Sequence, residues 1–210
     1  MRTHGWRGDP PKSDDDARRR IIDATARCVD RYGARKTGLT DVAEELGVTR
    51  ATIYRYYRNI EELIKATSLA AADEFTDRLI AHVAPFTEPA DILIEALAFT
   101  IERVPVEPHV GLLLATGRTA SFGAEMLSPV AIRLTRELLE RLSIDWPAHG
   151  YDDAELSGLA EFLLRLLHSY IPGPQHRWTA AEDPRPFLRR WLIPAFAAAV
   201  RPEDRVRYAG

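Results

Sequence analysis

The chain has 210 residues, a formal net charge of −3, 28% charged residues and 46% hydrophobic residues. This length allows one or two hydrophobic cores, and no apolar run is long enough to span a bilayer. The first residues also lack a signal-peptide core, so we expect a cytoplasmic protein with no membrane partner. Cys28 is the only cysteine and cannot form an internal disulfide, so we interpret it as a core residue, with a redox sensor as the alternative.

The charge is distributed unevenly along the chain. Residues 1–60 hold 13 Lys/Arg and 9 Asp/Glu, a balance of +4, whereas residues 61–210 hold 15 and 22, a balance of −7. A basic module joined to an acidic body is typical of a DNA-binding domain attached to a domain that must not bind DNA.

The first predicted elements are an arm and a helix. Residues 1–12 combine glycine, proline and scattered basic residues, which predicts a disordered arm that either enters the minor groove or has no role. Ser13 and the acids after it favour a helix that runs to about Gly33. Three arginines at 18–20 open this helix, and they either contact phosphates or are solvated.

The next segment predicts two short helices around a tight turn. Residues 39–46 have one apolar face, with Gly38 as the N-cap and Asp41 at the third helical position. Gly47 follows, and glycine tolerates the left-handed backbone of a sharp turn. Thr49 is a suitable N-cap for a second helix.

This second helix presents a donor-rich face. Ile53 is its apolar anchor, and the outward residues are Arg50, Thr52, Tyr54, Arg55 and Tyr56. Arginine can bind two acceptors of guanine, a threonine methyl can contact thymine, and tyrosine hydroxyls can donate to phosphates. The layout therefore predicts a helix-turn-helix whose second helix enters the major groove of DNA. The alternative is an ordinary helical hairpin with a solvated face.

From Arg20 to Leu63 the sequence resembles the DNA-binding domain of the TetR family of transcriptional regulators. The shared motifs are Gly33, Thr37-Gly38, Gly47-Val48-Thr49, Thr52-Ile53-Tyr54-Arg55-Tyr56-Tyr57 and Asn59-Ile60-Glu61-Glu62-Leu63. The resemblance implies an all-α fold, in which an N-terminal three-helix domain is joined by a long helix to a larger ligand-binding and dimerisation domain. The residues expected to bind DNA are Thr40, Thr49, Arg50, Ala51, Thr52, Tyr54, Arg55, Tyr56 and Arg58.

Three positions depart from the family pattern. Ile60 stands where members usually have a lysine that touches the DNA backbone, and we hypothesise that Arg58 supplies this charge instead. Gly38 replaces the usual Ser or Thr cap, and Tyr57 replaces the usual Phe. These changes concern individual phosphate contacts rather than the domain.

The remaining sequence predicts further helices separated by prolines. They cover about 60–85, 90–104, 110–116, 129–142, 152–170 and 184–200, with a kink at Pro194 in the last. The expected domains are a disordered arm (1–12), a helix-turn-helix domain (13–60), a helical effector-binding and dimerisation domain (61–200) and a C-terminal tail (201–210).

The last two predicted helices are apolar on more than one face. A helix of this kind must bury both faces, which predicts a second partner surface. The resemblance implies a four-helix dimer interface, and a dimer supplies the two-fold symmetry that a palindromic operator requires. The expected interface residues are Leu159, Leu163, Leu167, Leu188, Trp191, Leu192 and Phe196.

The resemblance also implies a pocket for a small molecule in the middle helices. A ligand that prefers the geometry unable to bind DNA would weaken operator binding, so we expect a repressor released by an apolar or amphipathic effector. The preferred polar contacts are Arg118 and His168. The expected pocket residues are Phe86, Phe99, Leu113, Arg118, Phe122, Met126, Trp146, His168 and Trp178.

No catalytic constellation is recognisable in the sequence. The histidines have no metal-like spacing, and nucleophile, phosphate-loop and dinucleotide motifs are absent. We therefore predict no catalytic residue, no metal and no cofactor. The alternatives are a dimeric DNA-binding protein without an effector and an all-helical enzyme that uses the turn motif only structurally.

Overall fold

The computed structural model describes residues 5–107, 109–110, 127–170 and 183–199. Within these ranges every regular element is a helix, which confirms the predicted all-α class. None of the helices described is long and apolar enough to cross a membrane. The chain forms two compact units, one of Met1–Glu74 with Glu107–Thr116 and one of Phe75–Val106 with Gly117–Gly210.

The helix bounds agree with the predicted segments to within a few residues. The helices are α1 (Asp14–Tyr32), α2 (Leu39–Leu46), α3 (Arg50–Tyr54), α4 (Ile60–Val83), α5 (Pro89–Arg103), α6 (Pro129–Arg141), α7 (Asp153–Tyr170) and α8 (Arg185–Ala199). Short 3-10 turns cover Trp6–Gly8, Val104–Val106 and Pro147–His149. Most of the predicted helix at 110–116, and all of the predicted tail at 201–210, lie outside the described residues.

The helix ends of the first unit have the predicted local contacts. The Ser13 hydroxyl accepts from the Asp16 backbone N–H at 3.1 Å, and the Thr49 hydroxyl accepts from the Thr52 N–H at 3.2 Å. Each satisfies an N–H that has no partner inside its helix. Gly47 has φ +65°, the left-handed geometry that favours glycine, so α2 stops there and the chain turns into α3.

The core of the first unit is formed by the inner faces of α1 to α4. Its largest fully buried side chains include Ile21, Val42, Ile53 and Leu63. Cys28 lies in the same cluster with 1% exposure. Burial raises the pKa of its thiol above the ordinary value, so the reactive thiolate is disfavoured and the interpretation as a core residue is supported.

Residues 5–12 differ from the expected disordered arm. Trp6 is half-buried and packs against the core of the first unit, and Arg20 donates to the Asp9 carbonyl at 2.8 Å. The composition of the segment favours disorder, but one large aromatic side chain and one ion pair hold it against the helices.

The second unit is built around α5. Four apolar side chains of α5 are buried in this unit, namely Ile92, Leu93, Ile94 and Leu97. They lie on more than one side of the helix, so α5 is packed on more than one face. The helices α7 and α8 both pack against α5, and α6 packs against α7. The buried side chains of these three helices include Leu139, Leu156, Ala160, Leu163, Leu164, Leu188 and Leu192.

A charged clamp joins α5 to α8 inside this unit. Glu95 is 7% exposed, and its two carboxylate oxygens accept from Nε of Arg185 at 3.0 and 2.9 Å. Arg185 also binds Glu102 at 2.6 Å, and the pKa of its guanidinium is raised by this and the other carboxylate contacts. The arginine therefore stays charged, which is the condition for burying a carboxylate beside it.

Candidate nucleic-acid interface

The helical turn of α3 continues beyond its last helical residue. The backbone N–H groups of Tyr56 and Tyr57 both donate to the Ile53 carbonyl, at 2.9 and 3.0 Å. Ile53 is fully buried and Tyr57 is 5% exposed, so these two side chains fix one face of the turn on the core. The other face consequently points outward, as the pattern predicts.

Arg50 and Tyr54 form a pair on this outer face. The Arg50 guanidinium donates to the Tyr54 hydroxyl at 2.8 Å and lies 5.2 Å from the centroid of its ring. Tyr54 is 45% exposed. Stacking on the ring and the hydrogen bond together restrict the rotamers of the arginine, so its remaining donors are presented in a defined direction.

A second pair lies at the end of the turn. The Tyr56 hydroxyl donates to the Asp14 carboxylate at 3.1 Å and accepts from Arg55 at 3.2 Å. Burial, together with the hydrogen bond to Asp14, raises the pKa of the Tyr56 phenol, so the hydroxyl stays protonated and able to donate. The contact with Asp14 could not be predicted, because Asp14 and Tyr56 are 42 residues apart along the chain.

The three arginines at 18–20 have different positions. Arg18 donates to the Tyr56 carbonyl at 3.2 Å and lies over the rings of Tyr56 and Tyr57, so it holds the end of the α3 turn. Arg20 binds the two carboxylates Asp9 and Asp16. Arg19 is 72% exposed and lies 3.9 Å from Asp16.

Arg58 is exposed beside Ile60, as the proposed substitute for the missing lysine requires. Its backbone N–H donates to the Glu62 carboxylate at 2.8 Å, and the Asn59 side chain accepts from the Glu62 N–H at 2.7 Å. These contacts fix the start of α4 and leave the Arg58 side chain at the surface. All nine residues predicted to bind DNA are exposed or half-buried, namely Thr40, Thr49, Arg50, Ala51, Thr52, Tyr54, Arg55, Tyr56 and Arg58.

The second unit carries an apolar surface on α7 and α8. Phe162 is 48% exposed and Trp191 is 61% exposed, which is unusual for such large apolar side chains. Next to Phe162 runs an apolar groove whose lining residues include Leu93, Tyr151, Leu159, Leu192 and Phe196.

The predicted dimer residues divide into two groups. Leu163, Leu167, Leu188 and Leu192 are at most 9% exposed, so they already belong to the core of the second unit instead of its surface. Trp191 is exposed, and Leu159 and Phe196 are half-buried. Phe162 was missed because the apolar pattern of α7 does not indicate which side faces the core of its own unit.

The structure describes four of the nine predicted pocket residues, namely Phe86, Phe99, Trp146 and His168. The ring centroids of Phe99 and His82 are 4.9 Å apart, and those of His82 and Phe86 are 6.5 Å apart. These rings form one cluster that includes the end of α4, the loop after it and α5. Trp146 is instead a core residue, because it is 6% exposed and its indole N–H donates to the Leu139 carbonyl at 2.9 Å.

Of the remaining predicted pocket residues, the structure describes His168. His168 is half-buried on α7. Leu113, Arg118, Phe122, Met126 and Trp178 lie outside the described residues. In the part of the chain that the structure describes, no group of three or more His, Cys, Asp and Glu side chains is arranged to hold a metal ion.

Comparison with known proteins agrees with this fold. Residues 21–67 match the family model of bacterial regulatory proteins of the tetR family. The chain is 25% identical over 182 residues to an uncharacterized HTH-type transcriptional regulator, Rv1255c, of Mycobacterium tuberculosis, covering 86% of this chain and 85% of that protein.

Two solved structures share the fold. One is a TetR/AcrR-family regulator from Thermobifida fusca, with a TM-score of 0.53 and 20% identity over 90% of this chain and 100% of that one. The other is the TetR-family repressor AlkX from Dietzia sp., with a TM-score of 0.57 and 15% identity over 92% of this chain and 100% of that one.

A helix-turn-helix with a donor-rich outer face, placed before a larger helical unit, defines the class of DNA-binding transcriptional regulators. Within that class, residues 21–67 resemble the DNA-binding segment of the tetR family, and the chain shares the fold of solved TetR-family regulators. The predicted resemblance is thereby confirmed.

Proposed function

We propose that this protein is a homodimeric repressor that binds a palindromic operator and is released by an apolar or amphipathic small molecule. The observation that supports DNA reading most directly is the outer face of α3, where Arg50 is stacked and hydrogen-bonded on Tyr54. An arginine oriented in this way can bind both acceptors of one guanine. The arginines and tyrosines around it serve as donors to phosphates. Such a role places the protein with the chromosome, in the cytoplasm.

The dimer is supported by the exposed apolar residues of the second unit. Phe162 and Trp191 would each gain free energy on leaving water, and both belong to the helices expected to pair. The proposed dimer interface consists of Phe162 and Trp191 together with Leu159 and Phe196. The buried leucines that the sequence predicted for the interface are not part of it. A two-fold dimer would place two copies of α3 about 34–36 Å apart, one turn of DNA.

Selection of DNA from a random duplex library tests the operator proposal. The protein should enrich a sequence with two inverted half-sites whose centres lie about 10 base pairs or a multiple apart. An enriched site with no inverted repeat would reject the symmetric arrangement. Recovery of no enriched sequence would reject sequence-specific binding itself.

The proposed effector is an apolar or amphipathic small molecule. AlkX is described as a repressor implicated in the biodegradation of n-alkanes, so alkyl compounds belong in the first screen. Saturated and unsaturated fatty acids, long-chain alcohols and aromatic compounds should be tested for a rise in melting temperature. A true effector must also weaken operator binding, because coupling between two ligands is reciprocal.

Two outcomes would favour the alternatives. A chain that binds its operator but is stabilised by no compound class would be a DNA-binding dimer without an effector. A compound that is consumed on incubation with the protein would indicate an enzyme. We assign a binding role, because the site supported best is a surface of donors rather than a cluster of reactive groups.

A further inference from the structure

The segment Gly5–Lys12, here called the strap, lies across the first unit. It precedes α1 and is absent from the matched family segment, which begins at residue 21. One end of the strap contacts the turn between α2 and α3, and the other end is bound to α1.

At the turn, the strap backbone lies against Gly47. A Cβ built on Gly47 would lie 3.1 Å from Cγ of Arg7 and 3.5 Å from the Arg7 backbone nitrogen. A Cβ built on Gly5 would lie 3.5 Å from a methyl carbon of Val48. Trp6 is half-buried and packs against the core below. The strap thus covers the residues that connect α2 to α3.

At α1, the strap is fixed by an arginine and a carboxylate. Arg20 donates to the Asp9 carbonyl at 2.8 Å and forms an ion pair with the Asp9 carboxylate at 3.1 Å. The same guanidinium binds Asp16 at 3.3 Å, and the Asp16 carboxylate accepts from the Lys12 N–H at 2.9 Å. Both ends of the strap are therefore attached to the unit that carries α3.

The strap backbone is also strained. Trp6 has φ +65° and Arg7 has φ +53°, a region that residues with a Cβ rarely adopt. Such a conformation persists only when surrounding contacts hold it. Here the contacts are the burial of Trp6 and the two ends described above.

We propose that the strap is a positioning element for DNA recognition. By packing on Gly47 and Val48 it restricts the turn, and so sets the angle at which α3 leaves α2 and presents Arg50 to the groove. The strap does not itself read bases. This inference rests on the proposed function, because it assumes that the outer face of α3 binds an operator.

The variant Trp6→Ala tests the strap, and the measurement is the ratio of two affinities. The affinity for the operator selected by the wild-type protein is compared with that for non-specific duplex of equal length. Misplacement of α3 should reduce operator affinity by about tenfold, as expected for the loss of one good base contact. Non-specific affinity should stay the same, because it depends on the surface charge. Trp6→Phe, which keeps an aromatic ring, should restore the ratio.

A pair of substitutions at Arg7 separates positioning from contact. Arg7→Gly accepts the left-handed backbone and should keep most of the specificity ratio, whereas Arg7→Val cannot adopt it easily and should lower the ratio. The opposite result is that Arg7→Gly weakens both affinities and lowers the salt dependence of binding by about one released counterion. Arg7 would then be a phosphate contact, and the proposal that the strap positions α3 would be overturned.

Two further outcomes would also overturn the proposal. Trp6→Ala with an unchanged ratio would show that the turn holds its geometry without the strap. Equal loss of both affinities, together with a lower melting temperature, would show that the strap only stabilises the unit. Failure of the wild-type protein to select any DNA sequence would instead reject the proposed function on which the strap depends.

Discussion

The two units place charge and apolar surface in opposite ways. The first unit has ion pairs with an exposed arginine, such as Arg27 with Glu45, and buries large aliphatic side chains such as Ile21 and Ile53. The second unit encloses the pair of Glu95 and Arg185, yet exposes Phe162 and Trp191. The first unit buries its apolar core without a partner, and its charged surface can bind a polar partner such as DNA. The second unit has apolar surface left to cover, which suits a second copy of the chain.

The largest expected effects on stability come from substitutions that leave a cavity in the core of one unit. They test whether the two units unfold independently. Ile53→Ala in the first unit and Ile94→Ala in the second remove the same atoms from side chains with 0% exposure. Each should lower the free energy of unfolding by about 2–5 kcal/mol. Hydrogen exchange of the two units should show the loss of protection confined to the altered one, with DNA binding impaired by Ile53→Ala. If either substitution lowered the protection of both units equally, the two units would not be independent.

Breaking the buried clamp should have the next largest effect. Arg185→Ala removes the arginine from the buried Glu95 carboxylate, beside which His82 lies at 3.5 Å, and should cost about 3 kcal/mol of unfolding free energy. The matched control is Arg189→Ala, which removes an exposed pair with Asp91 and should cost less than about 1 kcal/mol. Both values come from urea unfolding. An equal loss of unfolding free energy in the two variants would mean that the pair of Arg185 and Glu95 stabilises the unit no more than an exposed pair does.

The exposed aromatic residues should affect assembly rather than folding. Phe162→Ser should weaken the dimer by about 2 kcal/mol, roughly a thirtyfold rise in its dissociation constant, because a phenyl ring no longer leaves water on association. Sedimentation equilibrium measures this directly. Val130→Ser on α6 removes another exposed apolar side chain and should leave the constant unchanged. A similar shift for both variants would place the interface elsewhere.

The smallest predicted effect is a pH dependence confined to the first unit. A hydrogen bond from Arg27, with Arg31 nearby, lowers the pKa of Glu45 below its ordinary value of 4.5. Because the folded pKa is the lower one, the stabilisation is present above about pH 4.5 and is lost as the pH falls through the folded pKa.

Melting temperatures between pH 6 and pH 3 should therefore fall less steeply for Glu45→Gln than for the wild-type protein. Glu44→Gln removes the same charge one residue away and serves as the control. An identical slope for Glu45→Gln and the wild-type protein would show that the pair with Arg27 contributes nothing.

The sequence predicted what depends on neighbours along the chain. Ser13, Gly47 and Thr49 act as caps or turn residues through contacts within a few positions, so their types and spacing were sufficient. The outward face of α3 followed from Ile53 alone, since one buried position fixes the orientation of a short helix.

Contacts between distant residues could not be predicted in this way. Arg185 and Glu95 are 90 positions apart, and nothing in either local pattern links them. The strap has the composition of a disordered arm, and its order depends on a packing site built by later residues. In α7, apolar residues occur on both sides, so the periodicity did not distinguish the core leucines from Phe162.

The central claim is that the outer face of α3 reads DNA sequence, and Arg50→Ala tests it most directly. Fluorescence anisotropy at fixed salt should measure binding of the selected operator and of non-specific duplex. We predict that operator affinity falls about 10- to 100-fold with the dimer intact, while Arg133→Ala, which loses the same charge in the second unit, binds like the wild-type protein. Unchanged operator affinity for Arg50→Ala, or an equal loss for both variants, would contradict this assignment.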